Sequence, residues 1–155
     1  MTTERLSIAK TENRSKEGSN CTSRYLDNKL VFLAGATGLV GSNMINYLLQ
    51  DHPTTKIRAC FYKHTQHFIH HERVEYVYAD LKSLQDCRRV IQRCDCAIMT
   101  AFANAAGASM ITSQPWKQDN DNLIMNAQLL ADLVSEGLKR GVCLGSLTVY
   151  EVFAG

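Results

Sequence analysis

Proline is nearly missing from this sequence, with only Pro53 and Pro115 among 155 residues. That excludes proline-rich linkers and polyproline recognition segments. Long apolar runs are missing too, and nothing approaches the ~18 consecutive apolar residues that a membrane span needs. The opening segment, MTTERLSIAKTENRSKEGSN, has no apolar core and so does not read as a secretory signal. Charge of one sign is scarce, with a net +2. So small an excess, with no basic stripe interleaved with aromatics, argues against nucleic acid or a membrane surface as partner. The cytoplasm is therefore the expected compartment, where the six cysteines stay reduced. Cys94-Asp95-Cys96 lacks the two-residue spacing of a zinc knuckle or redox pair.

What is present suits one globular domain: a 45% apolar composition and a length of 155 residues. Residues 1–28 are polar, mixed in charge and without periodicity, and read as a flexible tail. The character changes at Lys29, and residues 29–155 form the expected domain. Leu30-Val31-Phe32-Leu33-Ala34 reads as a strand buried on both faces. A glycine-rich turn follows, then a helix over Ser42–Gln50 with Ile45, Leu48 and Leu49 on one side, ended by Pro53. Further strands are predicted at Ile57–Tyr62, Val74–Tyr78, Cys96–Ala101 and Val142–Ser146. Ser83 is a candidate N-cap for a helix carrying Leu84, Cys87, Ile91 and Cys94 as its apolar stripe. Leu123, Ala127, Leu130 and Val134 predict another, with Trp116 near its start as a packing residue. Strands alternating with helices imply an α/β fold, a Rossmann-type doubly wound parallel sheet.

The loop Gly35-Ala36-Thr37-Gly38-Leu39-Val40-Gly41 lies between a strand and a helix, where such a motif has a mechanism. Gly35 permits the tight turn out of the strand. Gly38 leaves room for a pyrophosphate at the helix N-terminus, and Gly41 lets the helix pack closely. Unsatisfied N–H groups and the positive end of the helix dipole then hold the anion. Gly35, Thr37, Gly38, Leu39, Val40 and Gly41 are the candidate cofactor contacts of this loop. Its spacing is Gly-x-x-Gly-x-x-Gly, not the Gly-x-Gly-x-x-Gly of standard dinucleotide dehydrogenases.

GATGLVGSN after an apolar strand resembles the opening of extended short-chain dehydrogenases/reductases, the NAD-dependent epimerase/dehydratase group acting on nucleotide sugars. Four later segments agree with that resemblance, in order. Asp80-Leu81 resembles the pair after the third strand whose Asp contacts the adenine. Ile98-Met99-Thr100-Ala101 resembles the fourth-strand end along the cofactor, and Asn122 the asparagine opening the next helix. Leu144-Gly145-Ser146-Leu147-Thr148-Val149-Tyr150 resembles the fifth-strand motif. The resemblance implies that Ser146 is the catalytic serine, that Thr148 touches substrate, and that Ala101 and Asn122 contact the cofactor.

The second strand ends in Phe61-Tyr62-Lys63-His64, without the acid that NAD-binding domains use for the ribose hydroxyls. Lys63 can pair with a 2′-phosphate, so the cofactor reading is NADP or NAD with NADP favoured. The resemblance also implies a tyrosine acid/base with a lysine four residues on, along the helix after the fifth strand. Tyr25 with Lys29 and Tyr78 with Lys82 match that spacing, but neither is expected to face a nicotinamide, and residue 154, four after Tyr150, is alanine. The expectation is a Rossmann domain truncated after its fifth strand, catalytically incomplete, and prone to self-association through an unprotected sheet edge. His64, His67, His70 and His71 crowd one loop near Cys60, but no carboxylate or cysteine pair completes a coordination set and no metal is expected. The first functional reading is the cofactor-binding part of a sugar-nucleotide epimerase, dehydratase or reductase. The alternatives are a non-enzymatic NAD(P)-binding or redox-sensing module and a nonfunctional remnant of a disrupted gene.

Overall fold

The fold is described from a computed structural model over residues 25–65, 68–102 and 115–145, with side chains of the last segment from residue 120. The elements run β1 (Leu30–Ala34), α1 (Leu39–Asp51), β2 (Lys56–Phe61), β3 (Val74–Tyr78), α2 (Leu84–Ile91), β4 (Cys96–Met99), α3 (Pro115–Ser135) and β5 (Arg140–Cys143). All pairings are parallel and the five strands lie in the order β3-β2-β1-β4-β5. The α/β doubly wound sheet predicted above is the fold observed.

Period-two alternation in β1 sorts its side chains to the two faces of the sheet. Val31 and Leu33 join Ile45 and Leu48 of α1, while Phe32 and Ala34 join Cys87, Val90 and Ile91 of α2 and Leu129 and Leu133 of α3. From Val31 to Ala34 every residue is fully buried, as a continuous apolar run in a central parallel strand requires. Cys60, Cys87, Cys94 and Cys96 are likewise buried. The predicted N-cap is present: the Ser83 hydroxyl accepts from the Asp86 N–H at 3.3 Å. Among the described residues no helix is long and apolar enough to cross a membrane.

Two arginines close helix C-termini, where carbonyls lack intrahelical donors. Arg58 on β2 donates from Nη1 to the carbonyls of Val90 (3.1 Å) and Gln92 (2.8 Å) at the end of α2. Arg73, just before β3, does the same for α1 through the carbonyls of Leu49, His52 and Thr55. The last part of the segment read as a tail is tied in: Tyr25 and Leu26 pack on the α1-side core, and Leu26 accepts from the Thr55 hydroxyl at 2.7 Å.

Sequence and structure differ over α3. Leu129 and Leu133 are the buried positions, whereas Leu123, Leu130 and Val134 of the predicted stripe are exposed. Both rows have helical spacing, so periodicity alone did not choose between them. Packing on α2 did, helped by the Arg88 Nε to Asp132 Oδ1 ion pair at 3.2 Å. β5 also begins earlier than predicted, at Arg140, and all four of its residues are exposed.

At the opposite end of the sheet Asp95 accepts from the Leu30 N–H (2.8 Å) and from Lys29 Nζ (3.0 Å). The Leu30 N–H, with the Lys29 ammonium adding to it, holds this carboxyl below the usual carboxylate range. A depressed native pKa stabilises the fold above the unfolded value near ~4, and the stabilisation is lost as pH falls through the native one. Asp95→Asn should therefore cost about 1 kcal/mol at pH 7. The difference from the unmodified protein should close below about pH 4 in urea titrations. A pH-independent difference would refute this assignment.

Candidate functional site

The loop between β1 and α1 has the geometry its glycines suggest. Gly35 sits at φ +76°, in the left-handed region, and a Cβ there would lie 2.7 Å from Ala101 Cα. The end of β4 thus crosses directly over the turn. A Cβ on Gly41 would run into the Gly35 carbonyl oxygen and the backbone of Ala36. Gly38 is the N-cap of α1 and is exposed; no side chain caps the helix, and its first turn holds no acidic residue. The first N–H groups of α1 are therefore presented to one side with no carboxylate competing for an anion.

A cleft of about 540 Å³ opens beside this turn. Its walls come from the carboxyl ends of four strands: Gly35, Thr37 and Gly38 after β1; Phe61 to His64 ending β2; Ala79 to Lys82 after β3; and Thr100 to Phe102 after β4. Asp121 and Met125 of α3 complete it. The cleft lies where the strand order reverses, with β2 on one side of β1 and β4 on the other. In open parallel sheets this switch point is where ligands bind.

Hydrogen bonds fix the rim. Thr100 directs both its N–H (3.1 Å) and its hydroxyl (2.6 Å) to the Ala34 carbonyl, and the Ala36 N–H reaches the Cys60 carbonyl at 3.1 Å. Asp80 accepts from the Lys82 N–H at 3.0 Å, and its own N–H donates to Asp86 at 2.9 Å. The Arg89 guanidinium, 2.9 Å away, holds the Asp86 carboxyl below its ordinary range, with the Asp80 N–H adding to it. Lys82 Nζ pairs with Asp121 at 3.4 Å. Lys63 is exposed, 5.2 Å from the Tyr62 ring centre, and among the described residues no carboxylate pairs with it. Cys60 also lines the cleft, but burial pushes its thiol up to about 12, so it is neutral and unreactive at physiological pH.

The candidate residues Gly35, Thr37, Gly38, Lys63, Asp80, Leu81 and Ala101 therefore come together on one cleft. Leu39, Val40 and Gly41 belong to the first turn of α1, while Asn122 is part-buried on α3 next to Asp121. Ser146, Thr148 and Tyr150 lie outside the described residues, as do Cys21, His67 and the side chain of Trp116. Among the described residues no three His, Cys, Asp or Glu side chains converge as a metal site. Of the two Tyr-x-x-x-Lys matches, the first lies away from the cleft with Lys29 paired to Asp95, whereas Lys82 of the second is on the cleft wall. Tyr25 stacks under Arg140 at 3.9 Å, and Lys82 is paired with Asp121. Tyr62, Asp121 and Met125 were not anticipated as site residues, whereas Thr100 belongs to the segment expected along the cofactor. The position of Tyr62 at a strand's carboxyl end was a usable signal, whereas Asp121 and Met125 had none, since only the docking of α3 brings them there.

The donor set fits a dinucleotide: a turn that a Cβ on Gly35 or Gly41 would fill, free helix N–H groups, and a cleft with Lys63 among its lining residues. Several solved structures share the architecture. An epimerase from Methanothermobacter thermautotrophicus is 23% identical with a TM-score of 0.71, covering 83% of this chain and 39% of its own. The Bordetella bronchiseptica enzyme WbmH, solved with NAD+, is 17% identical with a TM-score of 0.62, covering 73% and 38%. Uronate dehydrogenase from Agrobacterium tumefaciens is 19% identical with a TM-score of 0.61, covering 76% and 41%. The chain thus spans about two-fifths of the length of these structures. Among curated proteins none matches the sequence. The description "NAD dependent epimerase/dehydratase family" matches residues 31–155. With that match over the strand–turn–helix unit and its cleft, the chain belongs to the NAD-dependent epimerase/dehydratase family, whose cofactor is a nicotinamide dinucleotide.

Proposed function

We propose that this chain is the cofactor-binding part of a sugar-nucleotide epimerase, dehydratase or reductase, and that it favours NADP. The observation that carries the reading is the glycine turn opening onto a cleft at the β1/β4 switch point. The N–H groups from Leu39 to Gly41 hold the pyrophosphate, and Asp80 and Leu81 border the adenine. Ala101 and Asn122 lie toward the rest of the cofactor. When bound, the cofactor supplies the acceptor and donor of a hydride exchanged with a sugar carbon. Ser146 donates a hydrogen bond to the reacting sugar oxygen and Thr148 contacts the substrate.

Lys63 supports NADP: a cation without a carboxylate partner among the described residues stands where a carboxylate would repel a 2′-phosphate. Fluorescence titration of the full chain should show NADPH binding about tenfold tighter than NADH, the worth of one charge-assisted contact. Lys63→Ala should erase the difference. Absence of binding by either nucleotide would refute the whole reading, and tighter binding of NADH would refute the NADP preference. The exposed β5, with Val142 on it and exposed Leu144 just after it, supports self-association as a further expected property. A concentration-independent monomer in sedimentation would count against it.

A further inference from the structure

The described residues place an aromatic wall at the ends of β2 and β3. Phe61 meets Phe68 edge-on at 4.9 Å and Tyr78 at 5.9 Å, and Phe68 stacks on Tyr76 at 3.9 Å. The outermost layer is the pair Tyr62 and Tyr78, stacked at 5.9 Å with an interplanar angle of 29°. Both rings are about half exposed, at 42% and 53%, so their stack is not explained by burial in the core. The strand beneath is rigidly held: the Tyr78 carbonyl accepts from Arg89 Nη2 at 2.7 Å, and Arg89 is itself paired with Asp86. Lys63 stands over the Tyr62 ring, its ammonium 5.2 Å from the ring centre.

We propose that Tyr62, backed by Tyr78, is a positioning residue that holds the Lys63 ammonium at the cleft rim and so sets selectivity for a 2′-phosphorylated adenosine. An unpaired lysine on a four-carbon stem samples many rotamers, and each contact it makes costs that freedom. An aromatic face attracts the ammonium without neutralising it, so the charge stays available to a phosphate. A carboxylate partner would also restrain the side chain but would cancel the field that the phosphate needs. The other cation of the rim nearby, Lys82, is already committed to Asp121.

This inference rests on the NADP reading above, and its test separates the two. The probes are adenosine 2′,5′-bisphosphate and adenosine 5′-monophosphate, titrated calorimetrically into the full chain and its variants. The unmodified protein should prefer the bisphosphate, and Lys63→Met should abolish that preference. Tyr62→Leu should reduce the ratio of bisphosphate to monophosphate affinity about three- to fivefold, as loss of a single exposed cation–π contact implies. Tyr62→Phe, which keeps the ring, should restore it. Tyr78→Leu should give a smaller loss in the same direction. A full preference in Tyr62→Leu, with Lys63→Met defective, overturns the positioning role and leaves the NADP reading standing. Equal weakening of both probes in Tyr62→Leu makes the ring an adenine platform and also overturns it. No preference in the unmodified protein overturns both.

Discussion

Replacing Gly41 with alanine should cost about 3 kcal/mol of stability and remove dinucleotide binding. Overpacking a core commonly costs about 1–3 kcal/mol when side chains can move aside. Here the obstacles are backbone, the Gly35 carbonyl and Ala36, so the upper end of that range applies. The added methyl can be accommodated only if α1 backs away from the turn. That withdraws Ile45 and Leu48 from Val31 and Leu33, and swings the helix N-terminus off the cleft. Thermal unfolding should show a midpoint lower by roughly 10 °C. Gly38→Ala gives the contrast, because a Cβ there meets only the Gly35 carbonyl oxygen, at 3.3 Å, and its φ of −79° suits any residue. It should retain most of the stability yet bind nucleotide poorly, since its methyl projects where the pyrophosphate must approach. A Gly41→Ala protein with unchanged midpoint would refute the close-packing account.

Arg73→Ala should be nearly as costly, at about 3 kcal/mol. Nη1 donates to the carbonyls of His52 (2.8 Å) and Thr55 (3.0 Å), and Nη2 to that of Leu49 (2.7 Å), all part-buried. The guanidinium satisfies acceptors that the end of α1 leaves open and adds a positive charge at the negative end of its dipole. Arg73→Lys should recover only part of the loss, because one ammonium cannot span three carbonyls as a planar fork does. The site itself should be spared: nucleotide binds at the other end of the helix, so affinity under native conditions should stay within about twofold. Urea midpoints and binding titrations on the same samples would check both statements. An Arg73→Ala protein as stable as its parent would show that water serves those carbonyls equally well.

The strand–turn–helix unit was legible in the sequence because its signals are local. Leu30–Ala34 is apolar without alternation, the glycines fall at fixed offsets, and Ile45 and Leu48 follow at helical spacing. Ser83 as a cap was legible for the same reason. The face of α3 was not. Leu123, Leu130 and Val134 are as periodic as Leu129 and Leu133, and Asp132, a polar residue, lies among the buried ones. A pattern reading would place Asp132 outside, but its ion pair with Arg88 of α2 permits it inside. The two arginine caps escaped notice likewise, since Arg58 and Arg73 meet carbonyls 18 to 34 positions away in sequence.

By itself, then, the sequence determined the order of elements, the parallel doubly wound sheet and the glycine turn. Each of these follows from backbone conformation and from short-range apolar spacing. Tertiary structure alone decided which residues share the cleft. Lys82 meets Asp121 across 39 positions, and Ala101 closes over Gly35 across 66. It also decided that Tyr62 stacks on Tyr78, a pairing that exists only because β2 and β3 lie side by side in register, Phe61 against Tyr78. Contacts between distant segments depend on how layers dock, and docking is fixed by the whole packed interior rather than by any window of the chain.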